Sequence, residues 1–228
     1  MKTIALIPAR RGSKRLPGKN MALLCGKPLL QHAIESAKES RIFHRIIVST
    51  DWEECVELAM SLGVGWILRP ERISGDQSHD FEFVKHALDA NRGFDIFAIL
   101  RPTSPFRTPY TILRAMSQFI RGDCDSMRAV ERTRHHPRKS WVIENGYMSP
   151  VCPVKINGFP GFDLGTQMLG DVYCQNGAIH IAWTRVIEEF GNVSGEAIRP
   201  FFTAGKEGID INGPEDLKFA EWLMKGGS

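Results

Sequence analysis

The stretch IALIPARRGSKRLPGKNMALLCGKPLLQHAIESAKESRIFHRIIVST (residues 4–50) decides the fold, because it joins two apolar segments through a basic loop and an amphipathic segment. Ile4–Pro8 and Arg45–Thr50 are short and rich in aliphatic and β-branched residues, which favours strands. Pro28–Ser40 repeats apolar residues at the spacing of one helix face. A strand, a helix and a second strand in this order predict a parallel βαβ unit.

The same alternation continues beyond this unit. The further predicted elements are a helix at Trp52–Leu62 capped by Asp51 and ended by Gly63, a strand at Val64–Leu68, a helix at Phe81–Ala90, a strand at Phe94–Leu100, a helix at Thr108–Ile120 ended by Gly122, a strand at Ala178–Trp183 and a final helix at Pro214–Lys225. This pattern predicts an α/β fold, with a Rossmann-like, mostly parallel sheet and helices on both faces. Ligands of such sheets bind beyond the carboxyl ends of the strands, so the segments after Pro8, Thr50 and Leu100 should converge on a site.

The segment from Ser126 to Tyr173 interrupts the alternation. It is rich in Pro, Gly and Arg, and its helical periodicity is poor. We therefore predict a single domain over residues 1–228 that carries an inserted lobe at about residues 131–175.

Composition excludes several classes of protein. The net charge is only +3, and we find no nucleic-acid-binding module, so a nucleic-acid partner is not expected. The N-terminal apolar run stops at Pro8, too early for a signal peptide, and no window approaches the roughly 18 apolar residues of a membrane span. The five cysteines are scattered without C-x-x-C spacing, which argues against a disulfide framework or a zinc site. We expect a cytoplasmic protein with reduced thiols and no membrane contact.

The loop that follows the first strand is strongly basic. Residues 9–20 contain five cations and no acid, and Gly12 and Gly18 allow the backbone to turn and approach a ligand. The P-loop motif is absent because Lys19 is followed by Asn20, and the dinucleotide motif G-x-G-x-x-G is also absent. Placement at the end of a buried strand favours a polyphosphate-binding loop over a solvated basic surface.

Several blocks, in order along the chain, resemble the signature segments of acylneuraminate cytidylyltransferases, the CMP-sialic acid synthetases and their relatives for legionaminic and other nonulosonic acids. The blocks are IPARRGSKRLPGKN (7–20), VSTD (48–51), RPE with Asp76 after it (69–76), LRPTSPFR (100–107), QNGAIH (175–180) and IDINGPED (209–216). The resemblance implies a fold of the nucleotide-diphospho-sugar transferase type. It also implies a homodimer, in which the inserted lobe contributes to the site of the partner.

The resemblance implies transfer of a cytidylyl group from CTP to a nonulosonic sugar acid, with Mg²⁺ as cofactor. The implied CTP-binding residues are Ala9, Arg10, Gly12, Ser13, Lys14, Lys19, Asn20, Arg69, Ser78 and Asp80. Arg10, Lys19 and Asp210 are the implied catalytic residues, since positive side chains and a metal ligand suit the charge that builds on the phosphates. Asp210 and Asn212 are the implied metal ligands. For Arg69, a surface salt bridge to Glu71 or Asp76 is the alternative.

The sugar-binding residues implied by the resemblance are Arg101, Thr103, Ser104, Lys139, Gln175 and Asn176. Two positions depart from the pattern of the family. Arg101 stands where CMP-sialic acid synthetases commonly have Gln, and Asn212 stands where many relatives have Asp.

Two alternatives remain open. A cytidylyltransferase for another acid sugar, such as 3-deoxy-octulosonate (Kdo), would share the first loop. A non-catalytic homologue that binds CTP without turnover is favoured by Asn212, because an amide brings no charge to a metal site.

Overall fold

The structure is a computed structural model that describes residues 1–227. It divides into two compact units. The first unit contains Met1–Ala129 and the chain from Asn176 onward, and the second contains Val130–Gln175.

Strands and helices alternate through most of the described chain. The strands are β1 (Thr3–Pro8), β2 (Leu23–Leu24), β3 (Lys27–Pro28), β4 (Arg45–Thr50), β5 (Gly65–Leu68), β6 (Ile96–Ile99), β7 (Ser126–Arg132), β8 (Trp141–Glu144), β9 (Tyr147–Pro150), β10 (Lys155–Ile156), β11 (Phe159–Pro160), β12 (Tyr173–Trp183) and β13 (Ile198–Phe202). The helices are α1 (Leu29–Ser40), α2 (Glu53–Ser61), α3 (Asp80–Ala90), α4 (Pro109–Arg121), α5 (Val186–Phe190) and α6 (Pro214–Met224).

The central sheet has seven strands in the order β13-β7-β12-β6-β1-β4-β5. Strand β1 pairs in parallel with β4 and β6, and β4 pairs in parallel with β5. Strand β12 runs antiparallel to β6. The predicted α/β class and the mostly parallel sheet are confirmed, and β1 lies inside the sheet, so its carboxyl end opens between two neighbouring strands.

Successive residues of β1 supply both faces of the sheet, as the period of a strand requires. Ile4 and Leu6 pack with residues of α3 and α5, whereas Ala5 and Ile7 pack with residues of α1, α2 and α4. Helices therefore cover both faces. Full burial of one Ile or Leu side chain contributes about 1.5–3 kcal/mol to stability. Burial of β1 therefore fixes the position from which the basic loop begins.

Helix α1 buries the face that its spacing predicts: Leu29, Leu30, Ala33, Ile34 and Ala37. Its end also follows the prediction, since the helix stops at Ser40.

Helix α4 begins where its residues satisfy the first turn. Thr108 accepts a hydrogen bond at Oγ1 from the Thr111 N–H at 3.1 Å, and Pro109 occupies the first position, where no N–H is needed.

The predicted capping role of Asp51 is wrong. Trp52 is the N-cap of α2, and Asp51 Oδ1 instead accepts a hydrogen bond from the Arg11 N–H at 2.7 Å. A donor from the basic loop therefore takes the carboxylate that a local cap would have used. The same residue links the end of β4 to the loop after β1.

The segment Ser126–Tyr173, in which no element was predicted, contains strands. Strand β7 begins at Ser126 and joins the central sheet, and β12 starts at Tyr173, earlier than predicted. Strand β7 carries charged residues between its buried ones, which hides the alternation. Strand β13 contains a proline, a residue that sheets tolerate at an edge, and β13 lies at the end of the sheet order.

The second unit is built from short antiparallel hairpins. Strands β8 and β9 pair with each other, as do β10 and β11. The rings of Trp141 and Phe162 lie 4.7 Å apart between centroids, and Arg132 forms an ion pair with Asp171. Several apolar side chains of this unit are exposed: Val142, Ile143, Tyr147, Met148, Val151, Val154, Phe159 and Met168.

Among residues 1–227, the helices are all too short or too polar to cross a bilayer.

Candidate active site

A cavity of about 270 Å³ opens at the carboxyl ends of the central strands of the first unit. Its lining residues are Pro8, Arg10, Gly12, Ser13, Lys19, Asn20, Arg69, Gly75, Ser78, His79, Asp80, Phe83 and Arg101. The segments after β1 and β6 meet here, as the fold predicts. The segment after β5 supplies Arg69, while Asp51 after β4 lies behind the lining and holds the basic loop.

The cavity contains most of the predicted CTP-binding residues, but two lie outside its lining. Ala9 is fully buried, and its N–H donates to the Ser49 carbonyl at 2.9 Å. Its carbonyl accepts from Thr50 Oγ1 at 2.6 Å, so the backbone of Ala9 anchors the loop to β4. Lys14 is largely exposed and reaches Asp76.

One carboxylate joins two of the predicted phosphate-binding cations. Arg10 Nη1 lies 2.9 Å from Asp76 Oδ1 and donates to the Gly75 carbonyl at 2.8 Å. Lys14 Nζ lies 2.8 Å from Asp76 Oδ2. The hydrogen bond from Lys14, with the charges of Lys14 and Arg10, lowers the pKa of Asp76. A carboxylate of the chain itself thus pairs with two cations that the resemblance assigns to the phosphates.

Lys19 is a half-buried ammonium group with charges of both signs near it. It begins a short 3-10 turn after Gly18, which has a φ of +65° that glycine adopts without strain. Burial lowers the pKa of Lys19 most, the charge of Asp210 opposes that change, and Arg15 and Arg10 lower the pKa further. An anionic ligand would relieve this unfavourable placement of the ammonium group.

The basic loop is braced from within. Asn20 is buried, and its Nδ2 donates to the Arg10 carbonyl at 2.8 Å. The ring of Trp52 lies beneath Gly18, and any Cβ on Gly18 would come within 3.3 Å of it. These contacts hold the loop in one shape.

Arg69 is a buried guanidinium at the edge of the cavity. Its Nε donates to Ser49 Oγ at 2.8 Å, and its Cζ lies 4.6 Å from the centroid of the Phe83 ring. Burial lowers the pKa of Arg69 to about 10, so the side chain stays charged at neutral pH. Within residues 1–227 its Nη2 has no hydrogen-bond partner. The alternative of a salt bridge to Asp76 is wrong, because Arg10 and Lys14 take that carboxylate.

Asp80 and Arg101 form an ion pair in the cavity wall. Asp80 is the first residue of α3 and Arg101 follows β6. One residue is predicted to contact the base and the other the sugar acid. Their pairing places the two predicted functions side by side.

The segment before α6 gathers the predicted metal ligands. Asp210 Oδ2 accepts from Asn212 Nδ2 at 2.8 Å, and Asn212 Oδ1 accepts from Arg15 Nη2 at 3.2 Å. Asp216 Oδ2 accepts from the backbone N–H groups of Asn212 and Gly213, each at 2.8 Å. In the described chain, buried Asp210 Oδ1 has no partner.

An unpartnered carboxylate oxygen suits a hard cation. Asp210 therefore fits a magnesium ion. The amide oxygen of Asn212 accepts one hydrogen bond, from Arg15, and keeps a second lone pair. No group of three or more His, Cys, Asp or Glu side chains is gathered in metal-binding geometry between residues 1 and 227.

The remaining predicted sugar-binding residues lie outside the cavity lining. Thr103 and Ser104 are buried in the turn after β6, and the Ile211 N–H donates to the Thr103 carbonyl at 2.8 Å. Asn176 Nδ2 donates to Thr203 Oγ1 at 2.9 Å.

Lys139 and Gln175 belong to the second unit. There, Lys139 Nζ donates to the Phe162 carbonyl at 3.4 Å.

Arg107 is a structural residue that sequence reasoning missed. It is 2% exposed, and its Nη1 donates to the Ala178 carbonyl at 2.8 Å and to the Arg101 carbonyl at 3.1 Å. Burial lowers the pKa of Arg107 to about 9. It lies in the block 100–107, but an arginine next to a turn is expected to be exposed, so the sequence gives no signal of its burial.

Comparisons with known proteins support the resemblance. A family model described as Cytidylyltransferase matches residues 4–136. CMP-N,N'-diacetyllegionaminic acid synthase of Legionella pneumophila subsp. pneumophila is 35% identical over 232 residues, which cover 99% of this chain and 97% of that protein. N-acylneuraminate cytidylyltransferase of Escherichia coli O18:K1:H7 is 46% identical over 118 residues, 52% of this chain. The match spans only 28% of that longer protein.

A solved structure shares the fold. CMP:2-keto-3-deoxy-manno-octonic acid synthetase, complexed with CTP, superimposes with a TM-score of 0.73 and covers 99% of each chain at 19% identity. At this identity the likeness establishes the architecture alone.

Proposed function

Because the chain belongs to the cytidylyltransferase family, we propose that it transfers the cytidylyl group of CTP to the anomeric hydroxyl of a nonulosonic sugar acid and releases pyrophosphate. One relative that matches along almost the whole chain is a synthase of this kind. The observation that carries the proposal is the cavity at the carboxyl end of β1, where Arg10, Lys19 and Arg69 bring positive charge to one space.

The reaction needs no covalent enzyme intermediate. The sugar hydroxyl oxygen bonds to the α-phosphorus, the bond from that phosphorus to the α–β bridging oxygen breaks, and the hydroxyl proton is released. The protein contributes by positioning and by neutralising charge. Arg10 and Lys19 would stabilise the charge that develops on the phosphates, with Ser13 and Lys14 nearby to bind the outer ones.

The nucleoside would lie at the far wall of the same cavity. Cytosine presents an amino donor and a carbonyl acceptor. Asp80 can accept from the amino group, and Ser78 can accept or donate. The Nη2 of Arg69, which has no partner within the chain described, is a further donor. Asn20 is the proposed ribose contact, through the part of its amide that the Arg10 carbonyl leaves free.

We propose Asp210 as the principal Mg²⁺ ligand, with Asn212 beside it. Magnesium on a triphosphate uses one or two protein carboxylates and neutralises part of the charge on the leaving pyrophosphate. The support is the buried, unpartnered Oδ1 of Asp210 in the described chain. Asn212 orients that carboxylate by donating to Oδ2.

On the acceptor side, we propose that Arg101, Thr103, Ser104 and Asn176 surround the sugar acid.

Lys139 and Gln175, in the second unit, are proposed to contact the sugar acid across a homodimer. The exposed apolar side chains of that unit would be covered in such a dimer. We also propose that the reaction takes place in the cytoplasm. Sedimentation of the protein as a monomer at micromolar concentration would contradict the dimer.

The decisive experiment is a pyrophosphate-release assay with CTP and a panel of acid sugars: sialic, legionaminic, pseudaminic and Kdo. We expect turnover with at least one nonulosonic acid, and little with ATP, GTP or UTP. Arg10→Ala and Lys19→Ala should lower that turnover by orders of magnitude without unfolding the protein. Lys85→Ala, which removes an exposed cation on α3, is the matched control. CTP binding without turnover on any sugar would instead support the non-catalytic alternative.

A further inference from the structure

His136 is a buried histidine of the second unit, directly before the turn that contains Lys139. The turn is the short 3-10 helix Pro137–Lys139, and His136 is its N-cap. Only 6% of His136 is exposed, whereas Lys139 is an exposed residue. Histidine has only an intermediate tendency to be buried, so its burial beside a turn needs a physical reason.

His136 satisfies the backbone N–H groups at the start of this turn. Pro137 has no N–H at the first position, where none is needed. The Arg138 N–H donates to His136 Nδ1 at 3.2 Å, and the Lys139 N–H donates to the His136 carbonyl at 2.8 Å. One residue therefore binds the backbone of the two residues that end the turn.

The cap also determines which ring nitrogen of His136 carries the proton. An N–H can only donate, so Nδ1 is the acceptor and the neutral ring carries its proton on Nε2. Nε2 is buried and, over residues 1–227, has no hydrogen-bond partner. A buried donor without a partner is unfavourable, so the hydrogen bond that favours a histidine here is the one at Nδ1.

The rest of the turn is packed against its neighbours in the same unit. Arg138 Nη1 donates to the Leu169 carbonyl at 3.2 Å. The stem of Arg138 lies over Gly161, where an added Cβ would come within 3.0 Å of Arg138 Cδ. By contrast, Lys139 Nζ lies 3.4 Å from the Phe162 carbonyl, which is longer than the usual range for an N–H···O hydrogen bond. The main chain at Lys139 is thus fixed, while its ammonium group is weakly held.

A fixed main chain with a weakly held charged tip suits a residue that contacts a ligand. The ammonium group of Lys139 offers three N–H donors and a positive charge, which match a carboxylate. Order that exists before binding does not have to be gained on binding, so the contact contributes more to affinity.

We propose that His136 is a positioning residue for the acceptor: its Nδ1 caps the turn and so holds Lys139 ready for the carboxylate of the sugar acid. The inference rests on the proposed function, in which Lys139 contacts that acid. His136 acts through Lys139 and contacts neither substrate.

The cap can be tested in the free protein by amide hydrogen exchange, measured by NMR. His136→Phe keeps a buried ring but removes the acceptor nitrogen, so the Arg138 N–H should exchange faster than in the wild type. In His136→Asn the exchange should stay slow, because the side-chain oxygen of Asn can accept the same bond. His135→Phe is the matched control, since it makes the same substitution at the exposed neighbour, and it should leave the exchange unchanged.

The functional consequence is measured with the sugar acid that gives turnover. We expect His136→Phe to raise KM for that acid about 2- to 30-fold, the range for loss of an N-cap, and to leave KM for CTP unchanged. His136→Asn should restore the KM of the wild type, and His135→Phe should keep both KM values. If the larger ring of Phe prevents folding, His136→Leu replaces it in the comparison with His136→Asn, because Leu resembles Asn in shape but has no acceptor.

A double-mutant cycle shows whether His136 acts through Lys139. In a Lys139→Ala background, His136→Phe should raise KM for the sugar acid by no more than about twofold. An equal rise in both backgrounds would overturn the proposal, as would an unchanged KM or an unchanged exchange of the Arg138 N–H in His136→Phe. A parallel rise in KM for CTP would also overturn it, because the substitution would then disturb the whole site. Failure of the proposed function is distinct, since the wild type itself would turn over no sugar acid.

Discussion

Replacing Arg69 with methionine should weaken CTP binding much more than it weakens the fold. The side chain lines the cavity, and in the described chain its Nη2 has no partner, so a ligand acceptor can take up that donor. A hydrogen bond from a charged donor is worth about 1.5–3 kcal/mol. Its loss should raise the Kd for CTP roughly 10- to 150-fold.

The effect on stability combines opposing changes. Ser49 Oγ loses the donor now 2.8 Å away, and the cation over the Phe83 ring is removed. Two changes stabilise the variant. It no longer buries a charge, and the methionine sulfur can pack on the Phe83 ring, a contact that contributes about 0.3–1.5 kcal/mol. We expect a net destabilisation of about 1–2 kcal/mol, which for a chain of this size lowers Tm by about 2–8 °C.

Calorimetric titration with CTP and a thermal melt of the free protein would measure the two quantities separately. Arg72→Met is the matched control, since Arg72 is an exposed arginine in the same segment and lies outside the cavity lining. A Kd for CTP in Arg69→Met within twofold of both the wild type and Arg72→Met would refute the placement of the nucleotide beside Arg69.

Three further outcomes follow from the site. Asp76→Asn should tighten CTP binding, because the carboxylate now held by Arg10 and Lys14 competes with phosphate. The control is Asp89→Asn, since Asp89 is an ion-paired surface aspartate on α3. Weaker CTP binding in Asp76→Asn than in Asp89→Asn would contradict the prediction. Burial lowers the pKa of Lys19, so its positive charge is lost at a lower pH than for an ordinary lysine. As the pH rises, the affinity for CTP should therefore fall at a lower pH in the wild type than in Lys19→Arg. Identical curves of CTP affinity against pH for the two proteins would count against the role of Lys19. Asp210→Asn should raise the Mg²⁺ concentration at which CTP stabilises the protein against heat, whereas an unchanged titration would remove Asp210 as a ligand.

Local patterns were enough to predict the elements that build the centre of the fold. Strand β4 has the predicted bounds, and the buried face of α1 contains the residues that its spacing indicates. Each of these elements buries a mainly apolar surface, so its hydrophobic residues recur at the regular spacing of a helix or a strand. Strand β7 and strand β13 were missed because exposed charges or a proline interrupt the same signal.

The location of the site was predictable for a different reason. Topology alone brings the ends of β1 and β6 together, so the basic loop and Arg101 were expected to meet. The partners of the charged groups were not predictable. Asp51 could cap a helix or hold the loop, and only the distance to the Arg11 N–H decides between them. The pairing of Arg10 with Asp76 joins residues far apart in the sequence, which no local pattern encodes.

Arg107 donates hydrogen bonds to the main-chain carbonyl oxygens of residues 101 and 178. The side chains at these two positions take no part in those bonds. The path of the turn is therefore independent of which residue occupies position 101. If Arg101 contacts the acceptor as proposed, variation at position 101 would alter the choice of acceptor while Arg107 preserves the turn. Retargeting this chain would then begin with position 101 and leave Arg107 unchanged.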